Sequence, residues 1–411
     1  MSKGIKVIAG LDIGNGYVKG KASFEGRKPL MIDMPSVISY TAVSNMPKAV
    51  TPEYIKGFDN EMDVTINSRS IKGFDAGRMF VGQRGIHSGG NLREFNIENT
   101  VPKCQDALST ILILSSLASA ALRDHYEFNG RLPDDNRLDI DACIGIALPI
   151  EDFMQWKDVY AQSLTSVDHD VIVHNFEQDI TIRVHFSRVV PLAEGAAAQY
   201  AITNLGSKFL QLVLDDARAM GANIDPAYTG EVLASVENTL GIDIGEGNVN
   251  FPVFSGGSIN VEASRSINKG YGTVLTEVIS IVRNEQGMSF DSRKALADFM
   301  LEENPTPIKR KKKEKLQRVI DAQVVEFVRD VIREFTNIYR KVGAQLDVIY
   351  IYGGGAKDVQ RVLYPALLAE VSDENGDTLP VIYLDSSYSR DLNRTGLYEV
   401  ATVAAKAVWD K

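Results

Sequence analysis

The sequence predicts an α/β protein whose two halves begin in the same way. Across its 411 residues, runs of β-branched and apolar residues alternate with longer segments of helical periodicity, and this alternation is typical of α/β folds. A strand that ends in Asp-Ile-Gly before a Gly-rich turn occurs at Asp12 and again at Asp243. The length fits about two or three domains, so the repeat predicts two related α/β domains.

The first half opens with a predicted β-hairpin. Residues 4–13 form a β-branched run, Gly14-Asn15-Gly16 forms a tight turn, and residues 17–24 form the returning strand. Because Gly and Asn tolerate positive φ, we expect the turn to use it. Further elements are predicted as strands over 30–40, 64–68, 78–82 and 138–148, helices over 103–127 and 150–165, a hairpin over 171–190, and helices that begin at Pro191 and Lys208.

The second half repeats the hairpin and then becomes mainly helical. A strand over 240–243 leads through Gly245-Glu246-Gly247 into a returning strand over 248–254 and a third strand over 258–264. Apolar residues at helical spacing predict a long helix over 313–342. The remaining predicted elements are helices over 272–286, 292–303 and 398–409 and strands over 348–352 and 379–384.

The composition excludes several classes of protein. Lys and Arg number 44 against 54 Asp and Glu, giving a formal charge of −10. Such a chain is a poor candidate for direct, specific DNA binding, because phosphate contacts need clustered cations. The two cysteines, Cys104 and Cys143, are too few for a disulfide framework or a four-thiolate zinc site. The histidines lack metal-binding spacing, and neither a P-loop nor a G-x-S-x-G motif is present.

No segment of the sequence predicts a membrane span or a secretion signal. The longest uncharged run, residues 107–122, is shorter than the roughly 20 apolar residues that a span needs, and it contains four serines. It is therefore predicted to be a buried core helix, and the first residues do not resemble a signal peptide. We expect a cytoplasmic, reduced protein that does not bind membranes.

The first hairpin carries groups that suit a phosphate. Backbone N–H groups of the turn Gly14-Asn15-Gly16 can form an anion-binding nest, since the glycines place no Cβ in the way. Lys19 on the returning strand can place its ammonium against the same anion, and Asp12 can hold Mg²⁺ through water. The alternative interpretation is an ordinary β-turn with a surface lysine.

The second hairpin strengthens this interpretation. Gly245, Glu246 and Gly247 offer another nest, and Asp243 offers another carboxylate at the end of a strand. Two such nests can enclose a polyphosphate. Two carboxylates beside phosphate are favourable mainly with a bridging Mg²⁺, because they would otherwise repel the ligand. We therefore predict that Asp12 and Asp243 serve one Mg²⁺-polyphosphate site.

Two further segments are candidates for the same site. Gly354 and Gly355 follow the predicted strand over 348–352 and permit close approach of an adenine ring or a ribose, although Gly-rich turns are also common between a strand and a helix. Glu194 precedes several small residues and could orient an attacking water at a phosphate. Its alternative role is to complement a helix dipole from the first turn.

Taken in order, these features resemble the actin/Hsp70/sugar-kinase superfamily. The matching segments are 12–19 for the first phosphate motif, 191–198 for the first connecting helix, 243–250 for the second phosphate motif, 351–356 for the adenosine motif and 393–398 for the second connecting segment. The resemblance spans nearly the whole chain. It implies an actin-like (ribonuclease H-like) α/β fold with duplicated domains around a central nucleotide cleft, each with an inserted smaller subdomain.

The resemblance also implies domain boundaries. The first actin-like domain would comprise residues 1–205 with 389–411, and its inserted subdomain would cover 41–88. The second domain would comprise residues 206–388, and its inserted subdomain would cover 273–344.

Within the superfamily, the resemblance is strongest to bacterial actin-like proteins of the ParM/StbA type, which are filament-forming plasmid-segregation ATPases. It rests on residues 241–256, 265–272 and 80–83. It implies a Mg²⁺-dependent nucleoside triphosphatase, using ATP or GTP, that polymerises with itself. The filament would move plasmid DNA through a DNA-binding adaptor at a plasmid centromere.

Carried over residue by residue, the resemblance assigns roles within the site. Asp12 and Asp243 would hold Mg²⁺ through water, Lys19 would contact the phosphates, and Glu194 would orient the hydrolytic water. The second phosphate motif ends in Asn250, where bacterial relatives often have Asp and actin has His. An amide can position water but cannot act as a base, so we expect slow hydrolysis that depends on Glu194. The phosphate nests would comprise Gly14, Asn15, Gly16, Gly245, Glu246 and Gly247, and adenosine would lie against Gly354 and Gly355.

Other interpretations stay open at this point. A small-molecule kinase of the same superfamily would need a polar sugar pocket, for which no motif stands out. A non-polymerising regulatory or scaffold protein would bind nucleotide without turnover. The basic run over residues 309–315 is either a solvated loop and helix start or a contact to adenine, to another filament subunit or to nucleic acid.

Overall fold

A computed structural model describes residues 4–40, 48–71, 77–95, 101–290, 292–303, 305–372, 378–384 and 386–410. The chain divides into two compact units, which are Met1–Ala201 with Asp391–Lys411 and Ile202–Arg390. Residues 41–47 and 72–76 of the insertion predicted over 41–88 lie outside the described residues.

Strands and helices are mixed along the chain, which confirms the predicted α/β class. The strands are β1 (Ile5–Ile13), β2 (Tyr17–Phe24), β3 (Leu30–Pro35), β4 (Val37–Tyr40), β5 (Asp63–Asn67), β6 (Arg78–Val81), β7 (Leu92–Glu94), β8 (Arg137–Leu148), β9 (His169–Val173), β10 (Ile180–Ala193), β11 (Thr239–Ile244), β12 (Val249–Phe251), β13 (Val253–Ser255), β14 (Ser258–Ile259), β15 (Arg265–Ile267), β16 (Val348–Tyr352) and β17 (Val381–Tyr383). The helices are α1 (Pro52–Lys56), α2 (Gln83–His87), α3 (Ala107–Asn129), α4 (Ile150–Thr165), α5 (Ala196–Thr203), α6 (Ser207–Ala219), α7 (Gly230–Ser235), α8 (Tyr271–Gln286), α9 (Arg293–Leu301), α10 (Pro307–Val342), α11 (Ala356–Val371) and α12 (Ser386–Trp409).

The described strands of the first unit form one ten-stranded sheet in the order β3-β2-β1-β8-β10-β9-β5-β6-β4-β7. β1 pairs antiparallel with β2 and parallel with β8, and β8 pairs parallel with β10. Most of β8 is buried on both faces, as expected of a central parallel strand. The hairpin β1–β2 is therefore joined through β1 to a buried strand of the sheet.

The single strand predicted over residues 30–40 proves to be two strands. β3 pairs with β2, whereas β4 pairs with β6 and β7 at the other end of the strand order. The change of partner falls at Ser36, whose N–H donates to the Gly16 carbonyl (3.0 Å) and whose Oγ donates to the Gly14 carbonyl (2.6 Å). Because two consecutive strands reach opposite ends of the order, the sheet curls back towards itself.

A helix is present where one was predicted from Pro191 onward, but the predicted start at Pro191 is wrong. β10 continues through Pro191, which lies opposite Ile146 of β8, and α5 begins only at Ala196. Proline is tolerated where a strand has no neighbour that needs its N–H. Among the described residues, β9 pairs with β10 only over Ile180–Val184, so at Pro191 the strand β10 has a paired neighbour on one side, β8.

α3 is the long apolar helix of the first unit. The Asp106 side chain accepts a hydrogen bond from the Leu108 N–H at its start, and Gly130 ends it in a left-handed conformation, as helix caps commonly do. Among the described helices, α3 alone is long and apolar enough to cross a membrane, but 89% of that apolar stretch is buried inside the protein. The predicted core helix is confirmed.

The second unit has a seven-stranded sheet in which β11 is central. β11 pairs antiparallel with β12 and β13 and parallel with β16, which in turn pairs with β17. The strand predicted over 248–254 is interrupted at Pro252, which has no N–H to donate, although the pairing register with β11 is unchanged on both sides. The strand predicted over 258–264 shortens to Ser258–Ile259.

The longest helix, α10, begins earlier than predicted. The Thr306 side chain caps its N-terminus and Pro307 occupies its first turn, which are two standard helix-start signals. The basic run over 309–315 therefore lies on a helix. The Lys313 ammonium donates to the carbonyls of Met300 and Glu302, so this lysine closes the C-terminal end of α9.

Two hairpin turns as a candidate phosphate site

The first hairpin closes without any left-handed residue. Asp12 lies opposite Lys19 across the β1–β2 pair, and the Gly14 N–H donates to the Tyr17 carbonyl (3.0 Å). The positive-φ residues of the described chain do not include any of the three turn residues, so the predicted positive-φ turn is wrong. Gly14 is needed for close approach instead, because a Cβ there would lie 2.7 Å from the Tyr17 carbonyl oxygen.

The same bonds decide which amide groups of this turn face outward. Both turn carbonyls bonded by Ser36, at Gly14 and Gly16, point towards the protein. In the described part of the chain, the N–H groups of Asn15 and Gly16 make no hydrogen bond. These two N–H groups, and not that of Gly14, are the donors that the turn can offer to an anion.

Asp12 lies in a group of charged side chains from several elements of the first unit. Burial raises the pKa of the Asp12 carboxyl above its ordinary value, and the nearby Glu194 carboxylate raises it further. The ammonium groups of Lys19 and Lys103 and a hydrogen bond with Asn393 oppose that rise. The structure thus brings together Asp12, Lys19 and Glu194, which the sequence motifs had indicated separately.

Glu194 is positioned by the end of β10 and not by a helix. Its N–H donates to the Leu148 carbonyl (2.7 Å), and the next residue, Gly195, has a φ of 79°. The Lys103 ammonium lies 3.4 Å from Glu194 Oε1, and both side chains are nearly buried. Glu194 therefore does not serve as a first-turn helix residue, and its carboxylate is paired with a cation.

The segment that carries Lys103 is itself fixed by a third carboxylate. The Cys104 N–H donates to Asp152 Oδ2 (3.3 Å). Burial raises the pKa of Asp152, and the charge of Glu194 adds to that effect. No motif in the sequence points to Lys103 or Asp152, because they come from distant segments that only the fold brings to Asp12. Asn393 begins the 393–398 segment that carried part of the resemblance, but nothing in that motif indicated its hydrogen bond with Asp12.

The second hairpin repeats the bonding of the first. Asp243 lies opposite Asn250 across the β11–β12 pair, and the Gly245 N–H donates to the Asn248 carbonyl (2.9 Å). No described residue of this turn has positive φ, and the N–H groups of Glu246 and Gly247 make no hydrogen bond with described residues. Each unit thus has, beside a strand-terminal aspartate, two amide N–H groups that make no hydrogen bond with described residues.

The start of α8 holds the second turn in place. The Tyr271 N–H donates to the Gly245 carbonyl (3.0 Å), and the Gly272 N–H donates to the Glu246 carbonyl (2.8 Å). A guanidinium nitrogen of Arg293 lies 2.9 Å from Glu246 Oε1. The glycine at 272 is required by space, because a Cβ there would lie 2.7 Å from the Glu246 carbonyl oxygen.

The three glycines after β16 lie against the same turn. Gly353 has a φ of 101°, and a Cβ there would lie 2.5 Å from Asp243 Oδ1. The Gly355 N–H donates to the Ile244 carbonyl (2.9 Å). A Cβ at Gly354 would meet no protein atom within 4 Å, so Gly354 faces open space. The second unit therefore brings Asp243, the turn and the predicted adenosine motif together.

The side-chain amide of Asn250 is buried and hydrogen-bonded. Its side-chain oxygen accepts a hydrogen bond from Ser266 Oγ (2.8 Å) and lies 3.4 Å from Asn248 Nδ2. These contacts fix the orientation of the amide beside Asp243. Ser266 is a residue that the sequence motifs did not single out, although it lies in the 265–272 segment that carried part of the resemblance.

Each of the two aspartates, taken within its own unit, fits a magnesium ion that is held mostly by water and phosphate. Among the described residues, no three His, Cys, Asp or Glu side chains are arranged to hold a metal directly. Mg²⁺ commonly keeps several waters and uses one or two carboxylates together with phosphate oxygens. Single aspartates at Asp12 and Asp243 suit that mode and not a cage made only of protein ligands.

Comparisons with known proteins identify the fold. The apo psk41 ParM protein is 16% identical with a TM-score of 0.56, covering 98% of this chain and 99% of the other. Bacillus thuringiensis ParM with ATP is 15% identical with a TM-score of 0.58, covering 97% and 99%. Ta0583, an archaeal actin homologue, is 12% identical with a TM-score of 0.61, also covering 97% and 99%. None of the curated proteins matches the sequence.

The chain is thus a protein of the actin-like fold, and the predicted resemblance is confirmed. Residues 241–364 match the C-terminal family of MreB-like archaeal actin homologues. This segment begins within β11 and ends within α11. It contains the second hairpin, Asn250 and the three glycines, so the family match covers the whole of the site described in the second unit.

Proposed function

We propose that this protein binds a Mg²⁺-nucleoside triphosphate, hydrolyses it slowly and assembles with itself into filaments. The observation that carries the proposal is the repeated hairpin on an actin-like fold. Each hairpin has a partly or fully buried aspartate at the end of its first strand, closes with the same hydrogen bond and leaves two amide N–H groups without a hydrogen bond to described residues. Such donors suit a polyphosphate.

The proposed phosphate contacts follow from these groups. The N–H groups of Asn15, Gly16, Glu246 and Gly247 would bind phosphate oxygens, and the Lys19 ammonium would neutralise part of their charge. Asp12 and Asp243 would hold Mg²⁺ through water molecules. The metal would supply charge neutralisation of the leaving phosphate groups.

Hydrolysis would depend on a water oriented by Glu194. Its carboxylate lies near Asp12 and is paired with Lys103, so it is held in one place and can accept a hydrogen bond from water. Asn250 would position the same water or its neighbour through its fixed amide. Because neither an amide nor a cation-paired carboxylate is a strong base, slow turnover is expected.

Adenine is the base that we favour, with guanine as the competing choice. The similar Bacillus thuringiensis ParM structures contain ATP, ADP or AMPPNP. In this chain the open face at Gly354 beside β16 offers room for a flat ring or a ribose. A direct comparison of ATP and GTP binding would decide between the two bases.

The proposed cellular role is plasmid segregation in the cytoplasm, by a filament that reaches DNA through an adaptor at a plasmid centromere. It is supported by the likeness to ParM structures and by the charge of −10, which disfavours direct binding to DNA. Capture of a DNA-binding protein by assembled filaments, and not by the monomer, would support the adaptor.

The test combines assembly with turnover. Light scattering and phosphate release are measured with and without Mg-ATP or Mg-GTP. We expect Asp243→Ala to lose both nucleotide binding and phosphate release, and Glu194→Ala to keep binding while phosphate release falls by about 10²-fold or more. Wild-type turnover in either variant would contradict the assigned roles, and release that requires an added sugar would favour a kinase.

A further inference from the structure

The outward face of α10 carries cations that no described group neutralises. Lys311, Lys315 and Arg318 are exposed, and they lie within about 60° of one another on the helix, since each residue advances about 100°. The opposite face, at Leu316 and Ile320, is buried. None of the three cations has an ion pair or side-chain hydrogen bond with a described residue, whereas Lys309 and Lys313 are engaged by α9.

Two of these cations, Lys315 and Arg318, line a groove with an apolar floor. The groove has a volume of about 500 Å³ and is lined by Lys315, Arg318, Val319, Ala322 and Gln323 of α10 and by Ile281 of α8. A nucleic-acid backbone needs cations but no apolar floor. A membrane-bound helix turns an apolar face outward, and here that face is buried. The groove therefore suits a protein helix with both carboxylates and apolar side chains.

α4 of this same chain has a face of that chemistry. Glu151, Met154, Asp158 and Val159 lie on one side of the helix at spacings of three, seven and eight residues. Met154 is 55% exposed and Val159 is 58% exposed. Neither Glu151 nor Asp158 has an ion pair or side-chain hydrogen bond with a described residue. α6 is a poorer match, because its Asp215 is already held by Arg218 and Gln211.

The spacings on the two helices agree. Glu151 and Asp158 are seven residues apart, as are Lys311 and Arg318, so both pairs span about 10 Å at 1.5 Å per residue. In a parallel alignment, Glu151 meets Lys311 and Asp158 meets Arg318.

From this match we propose that α4 of one copy docks in the α10 groove of a second copy and forms a contact of the filament. This contact presupposes the proposed self-assembly, and α4 and the α10 groove would be two of the surfaces through which the copies associate. Copies with a net charge of −10 repel one another, and a concentrated basic stripe at the contact can offset that repulsion and so favour their association.

The test is a charge swap read by light scattering and sedimentation with Mg-ATP. Lys311→Glu with Arg318→Glu should raise the critical concentration for assembly by about tenfold or more, and so should Glu151→Lys with Asp158→Lys. The four changes together should restore assembly to within about threefold of wild type. Arg310→Glu with Lys312→Glu is the matched control, since it alters the same charge on other faces of α10.

The outcomes separate this contact from the proposed function. Unchanged assembly of the Lys311→Glu, Arg318→Glu variant would overturn the proposed contact between α4 and the α10 groove, but it would leave the proposed filament assembly unaffected. Failure of the fourfold variant to recover, with nucleotide binding intact, would overturn the assignment to α4. A wild type that turns over nucleotide without self-association would overturn contact and filament together. Loss of labelled duplex DNA binding without loss of assembly would make the groove a nucleic-acid surface.

Discussion

Gly353 lies against Asp243 in the second unit, where substitution of a glycine should be costly. Its φ is 101°, and a Cβ there would lie only 2.5 Å from Asp243 Oδ1, which leaves no room for a side chain. We expect Gly353→Ala to lower the free energy of unfolding by about 2–3 kcal/mol and to displace the Asp243 carboxylate. Urea unfolding and nucleotide binding would measure the two effects.

Gly354→Ala is the matched control for that change. A Cβ at Gly354 meets no protein atom within 4 Å, and its φ is not positive. Its stability should stay within about 0.5 kcal/mol of wild type. Equal destabilisation by the two substitutions would show that the strain does not reside at Gly353.

Asp12 should make stability depend on pH in a direction set by its surroundings. Its pKa is raised, first by burial and then by Glu194, so the folded state binds the proton more tightly than the unfolded chain. The contribution of the Asp12 carboxyl to the free energy of unfolding is therefore fully present at low pH, and it is lost as the pH rises through the raised pKa. In Asp12→Asn the side chain does not titrate, so this loss of stability with rising pH should be absent.

The measurement is urea unfolding of wild type and Asp12→Asn between about pH 4 and about pH 8. The stability advantage of the variant should grow with pH, whereas Glu177→Gln, at an exposed carboxylate, should show no such trend. An advantage of Asp12→Asn that shrinks as pH rises would mean that Lys19 and Lys103 outweigh burial.

The hairpin pattern identified the reactive types of residue but not their local geometry. Asp12, Lys19, Asp243 and the glycines were named from that pattern. The positive φ expected of the turns was wrong, because Gly14 is selected by a close carbonyl and not by handedness. Lys103 was missed, since its contact with Glu194 joins segments that no sequence spacing relates.

Among the elements, α12 depends on a glycine at its crossing with α5. A Cβ at Gly396 would overlap the Ala197 carbonyl oxygen, and one at Gly145 would overlap the Leu397 carbonyl oxygen. We expect Gly396→Ala to cost about 3 kcal/mol or more, because the backbone must move apart. Thermal unfolding would measure the loss.

Val403→Ala, on the same helix at a 70% exposed position, is the control and should change stability by about 0.5 kcal/mol at most. A Gly396→Ala variant as stable as this control would mean that the crossing of α12 and α5 can widen with little loss of stability.

The bounds of helices and strands were predicted best where they depend on the local sequence pattern and not on which neighbouring strand the chain pairs with. The strand β16 and the helix α4 match their predicted bounds. β16 is an unbroken apolar run that ends before Gly353, and α4 has helical periodicity that begins after Pro149. The break at Ser36 and the strand at Pro191 were missed, since both depend on which neighbour the chain pairs with. α11 was not predicted, and it contains Pro365, a residue that normally argues against a helix.

For the whole molecule, a nucleotide that uses both hairpins should stabilise the protein through both units. At a ligand concentration of 100 times Kd, binding adds about 2.7 kcal/mol to the free energy of unfolding. We expect that gain to be lost both in Lys19→Met, in the first unit, and in Asp243→Asn, in the second.

Thermal shift with and without Mg-ATP would measure the gain, and Lys28→Met, at a lysine outside both hairpins, is the control. A full gain in either hairpin variant would indicate that one unit alone binds the nucleotide.

The α/β class, the two related hairpins and the residues that could touch phosphate are predictable from the sequence alone, because they follow from local periodicity and from turn chemistry. Three features could be learned only from the folded chain: which turn amides lack a hydrogen-bond partner, the pairing of Glu194 with Lys103, and the close approach of Gly353 to Asp243. These features depend on contacts between segments far apart in the chain, and the free energy of such contacts is set by packing and burial that no local pattern records.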